Sequence, residues 1–350
     1  MSVKIKCVTK ELAKFSRTTA EILPFLDIWL DGQEERFIRK VKKIFENAEV
    51  DKRYSIMDPA LVFEKTSFED KNDIYCKEAI ELGEKVLDKA LKKAQWSPDE
   101  LDFIITVSCT GIMIPSLDAY LINSLKLRQD IVRLPVTEMG CAAGISGIIY
   151  AKNFLKANPG KKAAVIAIES PTATFQLDDF SMANIVSAAI FGDGAACVLL
   201  SSDEDEDGVE ILAEEMYHFY DNIDMMGFKL TNSGLQMVLD IEVPDTIASH
   251  FDAIVHPFLE KNNLAISDID YLIFHPGGKK IIQIVEDLFS SHGKNIDDTK
   301  EVLKLYGNMS SATVLYVLER FIDKKPDKGS KGLMLSFGPG FSAQRILLEF

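Results

Sequence analysis

Three residues of the sequence have side chains suited to nucleophilic acyl chemistry. Cys141 lies in the small-residue segment TEMGCAAG, directly before an apolar run with helical periodicity. A cysteine at a helix N-terminus faces the positive end of the helix dipole, which favours the thiolate. His275 ends a short apolar run that predicts a buried strand, and Asn308 stands at the predicted start of another helix. Together they offer a nucleophile, a base and a hydrogen-bond donor.

Each of the three residues also has an ordinary structural interpretation. A lone cysteine such as Cys141 is commonly a small buried hydrophobe. His275 is also consistent with a packing residue, and Asn308 in YGNMSSAT is consistent with a turn or N-cap residue. The local segments alone therefore do not separate a catalytic set from three structural residues.

An internal repeat links the three residues. SPDELDFIIT resembles SDIDYLIF, and aligning Asp102 with Asp270 gives an offset of 168 residues. The same offset places Cys141 opposite Met309, and both lie in a glycine-bearing loop that opens a predicted helix. A pseudo-twofold between two such halves would bring both helix starts to one pocket, with His275 at a neighbouring strand end.

The repeat also predicts the organisation of the chain. FGDGAACVLL and FGPGFSAQRILLEF close the two similar stretches in the same order, which predicts an N-terminal half, 1–205, and a C-terminal half, 206–350. Apolar runs and helical patterns alternate, which predicts an α/β fold with both sheet faces covered. The predicted strands are Leu101–Ser108, Lys162–Glu169, Ala195–Leu200 and Tyr271–Phe274, and the predicted helices are Lys77–Ala94, Ile145–Lys156 and Ser311–Ile322.

Composition excludes some classes of function. The 350 residues carry a net charge of −15, which argues against nucleic acid as a main partner. The five cysteines show no CxxC or zinc-type spacing, so we expect no metal site and reduced thiols. No secretory signal and no run of about 18 apolar residues is visible, so we expect a cytoplasmic protein without a membrane span.

The motifs MGCAAG, FGDGAA, HPGG, YGNMSSA and FGPG, in this order, resemble type III polyketide synthases, the chalcone-synthase-like enzymes. The resemblance covers nearly the whole chain from about Leu101 and is weaker before it. It implies a thiolase-like, five-layered αβαβα fold from two duplicated halves, a homodimer, and CoA thioesters as substrates without a further cofactor. It makes Cys141 the acyl acceptor, with His275 and Asn308 as its partners.

The resemblance implies a mechanism. We expect His275, as an imidazolium, to hold Cys141 as a thiolate that takes up a starter acyl group from acyl-CoA. Malonyl-CoA then loses CO2, and hydrogen bonds from His275 and Asn308 stabilise the enolate before it attacks the thioester.

Further residues match positions along the substrate path of the family. Phe191 matches one gatekeeping aromatic, and Met237 stands where plant enzymes carry a second, which softens the passage. The cavity floor is matched by Gly338, Pro339 and Gly340. Pro115 matches a proline preceded by a cis peptide at the dimer interface.

Cys109 departs from the plant enzymes, which usually carry threonine there. Several bacterial members have cysteine at this position, including ones that make tetrahydroxynaphthalene from malonyl units alone. Three roles of Cys109 are therefore open: it shapes the cavity, it handles the growing chain, or it is a buried structural thiol.

Basic residues offer a local site for the CoA phosphates in an acidic protein. Lys40 and Lys43, in ERFIRKVKKIF, match family contacts to CoA, whereas a third matching position is Asn47. Lys279 and Lys280, after HPGG, extend the patch. The alternative is a solvated charged face.

The product is predicted less directly. Met237 and the small Ala142 and Ala143 are compatible with a medium- or long-chain acyl starter, extended to an alkylpyrone or alkylresorcinol. One alternative is a malonyl-only synthase making a tetrahydroxynaphthalene-type aromatic. Others are a ketoacyl synthase that initiates fatty acids on an acyl carrier protein, and a non-catalytic thiolase-fold subunit.

Overall fold

The computed structural model describes residues 2–290 and 292–350. The strands are β1 (Lys4–Leu12), β2 (Phe15–Thr18), β3 (Lys52–Ser55), β4 (Phe103–Val107), β5 (Val132–Val136), β6 (Lys162–Glu169), β7 (Gly194–Ser201), β8 (Val209–His218), β9 (Met226–Thr231), β10 (Gly234–Leu239), β11 (Tyr271–Phe274), β12 (Lys331–Gly338) and β13 (Ser342–Glu349). The helices are α1 (Thr19–Trp29), α2 (Glu35–Glu46), α3 (Pro59–Val62), α4 (Phe68–Ala94), α5 (Leu117–Ser124), α6 (Ala143–Ala157), α7 (Met182–Ile190), α8 (Val243–Lys261), α9 (Lys279–Ser290), α10 (Asp297–Tyr306) and α11 (Thr313–Asp323).

One large sheet shows the duplication. Its strand order is β11-β12-β13-β8-β1-β7-β6-β4-β5, with β8 and β1 antiparallel at the centre. Outward from the centre, β1, β7, β6 and β4 repeat the pairing directions of β8, β13, β12 and β11, two antiparallel pairs followed by a parallel one. The predicted duplicated halves are therefore confirmed, while the boundary between residues 205 and 206 stays a prediction.

Three apolar clusters separate five layers. Ile105 of β4 and Met334 of β12 face a shared central layer that contains α6 and α11. The alternate side chains of the same strands face outward, with Ile104 buried against α4 and α5, and Leu335 buried against α8, α9 and α10. The halves β11-β12-β13-β8 and β1-β7-β6-β4-β5, joined where β1 pairs with β8, therefore form two sheet layers on either side of α6 and α11. The resulting order helix, sheet, helix, sheet, helix confirms the predicted αβαβα fold.

The predicted elements are present with shifted ends. The strands β6 and β11 have the predicted bounds, whereas α4 begins at Phe68, before the predicted Lys77. The earlier start follows from a capping box, in which the Ser67 and Asp70 side chains bond each other's backbone N–H. This polar first stretch of α4 lacks the apolar periodicity on which the prediction depended.

The starts of α6 and α11 meet in the central layer. Each helix is preceded by a 3₁₀ turn, Gly140–Ala142 and Ser310–Ala312 respectively. A Cβ atom on Gly144 would lie 2.2 Å from the Ser311 carbonyl oxygen, so this close approach requires glycine. The contact places Cys141 and Asn308 on two sides of one junction.

Candidate active site

One cavity of about 750 Å³ brings the three chemistry-bearing residues together, because Cys141, His275 and Asn308 all line it. Its lining also contains most of the other residues singled out from the sequence: Cys109, Phe191, Met237, Pro339, Lys40, Lys43, Lys279 and Lys280. Gly338 is the last residue of β12, and Gly340 follows Pro339 in the link between β12 and β13; neither glycine is among the residues that line the cavity.

The loop that carries Cys141 is held by its packing against this link. A Cβ atom on Gly338 would lie 2.6 Å from the Ala142 Cβ atom, and one on Gly140 would lie 2.6 Å from the Pro339 Cδ atom. The Ser336 hydroxyl donates a hydrogen bond to the Cys141 carbonyl oxygen at 2.8 Å. Small residues on both sides therefore fix the backbone of the thiol.

The environment of Cys141 favours the neutral thiol. Its Sγ atom lies 3.6 Å from the Ser310 Oγ atom. Burial raises the pKa of Cys141 to about 12; the contact with Ser310 lowers the pKa, while the nearby Glu169 carboxylate raises it further. Desolvation of the charged form thus opposes the thiolate that the helix terminus was predicted to favour.

His275 is also buried as a neutral group. Its backbone N–H donates to the Leu335 carbonyl oxygen at 3.0 Å, which joins the end of β11 to β12. Within residues 2–290 and 292–350, neither ring nitrogen has a hydrogen-bond partner. Burial lowers the pKa of His275 to about 3, so desolvation favours the neutral forms of both groups and acts against the predicted imidazolium–thiolate pair.

The oxygen atom of the Asn308 carboxamide already accepts two hydrogen bonds within the protein. The oxygen accepts hydrogen bonds from the Ser310 N–H at 2.8 Å and the Thr313 hydroxyl at 3.3 Å. Its Nδ2 atom makes one longer bond to the Gly277 carbonyl oxygen at 3.4 Å. Since an amide nitrogen carries two N–H donors, one remains available to a substrate oxygen.

Sequence reasoning missed Glu169, a fully buried carboxylate beside Cys109. Glu169 accepts hydrogen bonds from the Cys109 N–H at 3.1 Å, the Thr110 hydroxyl at 2.8 Å and the Ser311 hydroxyl at 2.5 Å. Burial is the largest cause of its raised pKa, against which these hydrogen bonds act. Its place at the end of a predicted strand was the available signal, because functional side chains cluster at the carboxyl ends of parallel strands.

Ser310, also missed, lies between two thiols. Its Oγ atom is 3.6 Å from the Cys109 Sγ atom and 3.6 Å from the Cys141 Sγ atom. Burial and the Glu169 carboxylate raise the pKa of Cys109 well above that of an ordinary thiol. Cys109 therefore lines the cavity as a neutral thiol close to the proposed nucleophile.

Phe191 and Met237 stand between two cavities. With Pro171 they line both the main cavity and a side cavity of about 80 Å³. The surface of the side cavity is mainly apolar, with Ile22, Phe45, Val62, Phe63, Phe175 and Ala188 among its walls, but Arg17, Arg53 and Asn184 also line it. Phe191 and Met237 therefore form part of the wall between the side cavity and the main cavity that holds Cys141, His275 and Asn308.

The four lysines at the rim are exposed but differ in their partners. Lys279 pairs with Glu49 at 2.8 Å, and Lys280 lies 3.8 Å from Asp245. Lys40 and Lys43 form no ion pair with any described residue. These two ammonium groups are available to an anionic ligand at the mouth of the cavity.

Residues 2–290 and 292–350 contain no group of three or more His, Cys, Asp or Glu side chains arranged to hold a metal ion. Over the same residues, none of the helices has the length and apolarity needed to cross a membrane.

Comparison with known proteins gives consistent matches over nearly the whole chain. Residues 18–210 match the family described as FAE1/type III polyketide synthase-like protein, and residues 216–349 match the C-terminal domain of chalcone and stilbene synthases. A 1,3,6,8-tetrahydroxynaphthalene synthase of Streptomyces peucetius subsp. caesius is 35% identical over 274 residues, 77% of this chain and 72% of that protein. A putative chalcone synthase of Bacillus subtilis (strain 168) is 28% identical over 326 residues, 89% of both chains. The crystal structure of the tetrahydroxynaphthalene synthase of Streptomyces coelicolor A3(2) has a TM-score of 0.93 at 28% identity and covers 99% of both chains.

Proposed function

Because the chain belongs to the family of type III polyketide synthases, we propose that it condenses malonyl-CoA onto an acyl group held as a thioester of Cys141. The observation that carries this proposal is the single cavity that Cys141 shares with His275 and Asn308, with Lys40 and Lys43 at its rim. The lysines supply positive charge for the CoA phosphates, and the three inner residues supply the chemistry.

Acylation starts from a neutral thiol. As the sulfur of Cys141 forms its bond to the acyl carbon, its proton passes to a ring nitrogen of His275. The CoA sulfur leaves with the electron pair of the broken thioester bond and takes up that proton. Negative charge on the Cys141 sulfur and positive charge on the His275 ring develop together beside the start of α6. The dipole of α6 stabilises the negative charge on the sulfur.

Extension requires stabilisation of an enolate. Malonyl-CoA loses CO2, and the electron pair of the broken C–C bond moves onto the thioester oxygen. The remaining Asn308 N–H and the N–H of neutral His275 donate hydrogen bonds to that oxygen. Removing one such donor costs roughly 100- to 1,000-fold in rate. The enolate carbon then attacks the acyl carbon of the Cys141 thioester, and the C–S bond to Cys141 breaks. The Cys141 sulfur leaves with that electron pair and takes up a proton from solvent, while the chain, now two carbons longer, remains as a thioester of CoA.

The side cavity supports an aliphatic starter. Its walls are mainly apolar, and Phe191 and Met237 form part of the wall between it and the main cavity. Burying a methylene in such a space contributes about 0.8 kcal/mol. We therefore favour a medium- or long-chain acyl-CoA starter and an alkylpyrone or alkylresorcinol product.

A malonyl-only aromatic product is the second candidate. The similar proteins include synthases named for 1,3,6,8-tetrahydroxynaphthalene and phloroglucinol, and Cys109 lines the cavity 3.6 Å from the Ser310 hydroxyl. Fatty-acid initiation on an acyl carrier protein gains no support from the family matches, both of which describe polyketide or chalcone synthases.

Product analysis separates these candidates. Purified enzyme is incubated with malonyl-CoA, with and without acyl-CoAs of increasing length, and products are identified by mass spectrometry. Cys141→Ala is the control. Acyl-dependent pyrones or resorcinols that vanish in the control support the first candidate, and an aromatic product from malonyl-CoA alone supports the second. Extension only from an acyl carrier protein contradicts the proposal.

A homodimer is proposed from an exposed apolar surface at the β5 edge of the sheet. Ile114 is 92% exposed, and Ile112, Tyr120 and Val132 are exposed near it along the chain or on the edge strand. The peptide bond before Pro115 is cis, as the resemblance implies. Exposed apolar side chains near one edge of an enzyme are a common feature of protein contacts. We further propose a cytoplasmic location for the enzyme.

A further inference from the structure

The short segment that carries Phe191 is hydrogen-bonded to the catalytic carboxamide residue. The Asn308 N–H donates to the Ile190 carbonyl oxygen at 2.7 Å, and the Gly192 N–H donates to the Asn308 carbonyl oxygen at 3.0 Å. A Cβ atom on Gly192 would lie 2.6 Å from the Tyr306 carbonyl oxygen, so the two backbones touch. A displacement of this segment must therefore displace Asn308 as well.

Asp193 anchors the same segment from the other side. Its fully buried carboxylate accepts hydrogen bonds from the Ile56 N–H at 2.8 Å, from the Thr172 N–H at 3.0 Å, and from the Thr172 hydroxyl. Its own N–H donates to the Tyr54 carbonyl oxygen at 2.9 Å. Asp193 thus ties the Phe191 segment both to the end of β3 and to the 3₁₀ turn Pro171–Thr174, whose first residue lines the cavity.

Burying the Asp193 carboxylate is unfavourable for the stability of the fold. In the described part of the chain, no basic side chain forms an ion pair with Asp193, and burial raises the pKa of its carboxyl group to about 7. Burying a charged group without a cation is unfavourable unless hydrogen bonds compensate for the lost hydration. Of the groups it joins, Tyr54 and Thr172 line the side cavity with Phe191, whereas Ile56 belongs to the apolar cluster around α4.

We propose that Asp193 is a positioning residue for the condensation: it sets the place of Phe191 and, through the paired backbone, the place of the Asn308 carboxamide. The inference rests on the function proposed above, in which Asn308 donates to the enolate oxygen. It predicts that loss of the anchor impairs the decarboxylation of malonyl-CoA at sites whose Cys141 is still intact and accessible.

The test compares Asp193→Asn with the exposed control Asp327→Asn. In Asp193→Asn an NH2 group replaces one carboxylate oxygen, so a buried N–H of Ile56 or Thr172 loses its acceptor. The release of CO2 from malonyl-CoA is measured per Cys141 site, counted by peptide-resolved alkylation. We expect kcat per site to fall about tenfold or more, because misplacement by about 1 Å can cost 100-fold. The Cys141 alkylation rate should stay within about twofold of wild type.

Three outcomes decide the inference. A wild-type kcat per site in Asp193→Asn, even with a lowered melting temperature, overturns it, because the role is then structural only. A wild-type enzyme that fails to decarboxylate malonyl-CoA contradicts the proposed function and this inference together.

If Asp193→Asn does not fold, Thr172→Val provides a second test, because it removes only the hydroxyl donor to Asp193. A roughly threefold fall in kcat that is absent in Thr172→Ser supports the role, and an unchanged kcat in Thr172→Val overturns it.

Discussion

Cys141 is predicted to react slowly with alkylating reagents at neutral pH. Burial raises its pKa to about 12, so at pH 7.5 only about 3 in 100,000 of these thiols are ionised. An exposed thiol with a pKa near 8.5 is about one-tenth ionised at the same pH. Since the thiolate is the reactive form, Cys141 should react roughly 3,000-fold more slowly than such a thiol.

The sign of the pH dependence follows from the same shift. A raised thiol pKa favours the protonated form, so the thiolate fraction and the alkylation rate rise about tenfold per pH unit from pH 6.5 to 9.5. The assay is limiting iodoacetamide, quenching at fixed times, and mass spectrometry of the peptide that contains Cys141. The half-buried Cys76 in the same samples serves as the internal reference, and Cys141→Ser serves as the background control.

A rate that is constant between about pH 6 and 8 would refute this reasoning. It would mean that His275 already holds the proton and that the helix terminus outweighs desolvation, as the sequence alone predicts. In that case His275→Gln should restore the tenfold rise per pH unit, because the neutral amide cannot pair with the thiolate.

The remaining predictions concern the rim, the side cavity and the dimer. Lys40→Ala together with Lys43→Ala should raise KM for malonyl-CoA several-fold and weaken its salt dependence, with no effect on a malonyl thioester that lacks phosphates; an equal effect on both substrates contradicts phosphate binding. Ala188→Phe should fill part of the side cavity and shift the preferred starter to shorter acyl chains, measured as kcat/KM across a chain-length series; an unchanged profile places the acyl tail elsewhere. Ile114→Glu should give a monomer by light scattering, because a charge replaces a contact that a dimer would bury, and a dimer at all concentrations would remove this surface from the interface.

The arrangement of the fold was predictable because burial leaves a clear pattern. Lys162–Glu169 and Tyr271–Phe274 are continuous apolar runs, and the strands occupy the predicted residues. Cys141 lies in the 3₁₀ turn that opens α6, and the aligned Met309 directly precedes the 3₁₀ turn that opens α11. The early start of α4 was missed because its first turns are polar and are stabilised by a local cap rather than by core contacts.

The sequence was enough to predict which three residues share the cavity, but not their protonation states. Residue type and position indicated Cys141, His275 and Asn308 as candidates, and the internal repeat predicted that their loops meet in one pocket. The buried Glu169 and the position of Ser310 between two sulfur atoms depend on how the central layer packs. The protonation states of Cys141 and His275 depend on the same packing, because desolvation varies with every neighbouring side chain.

The most direct test of the central claim is intact-protein mass spectrometry after brief incubation with a medium-chain acyl-CoA and no malonyl-CoA. The account predicts one added acyl group per chain, located by peptide mapping on Cys141, absent in Cys141→Ala and discharged as extended product when malonyl-CoA follows. An adduct on another residue, or product formation by Cys141→Ala, would contradict the claim that Cys141 carries the acyl chain.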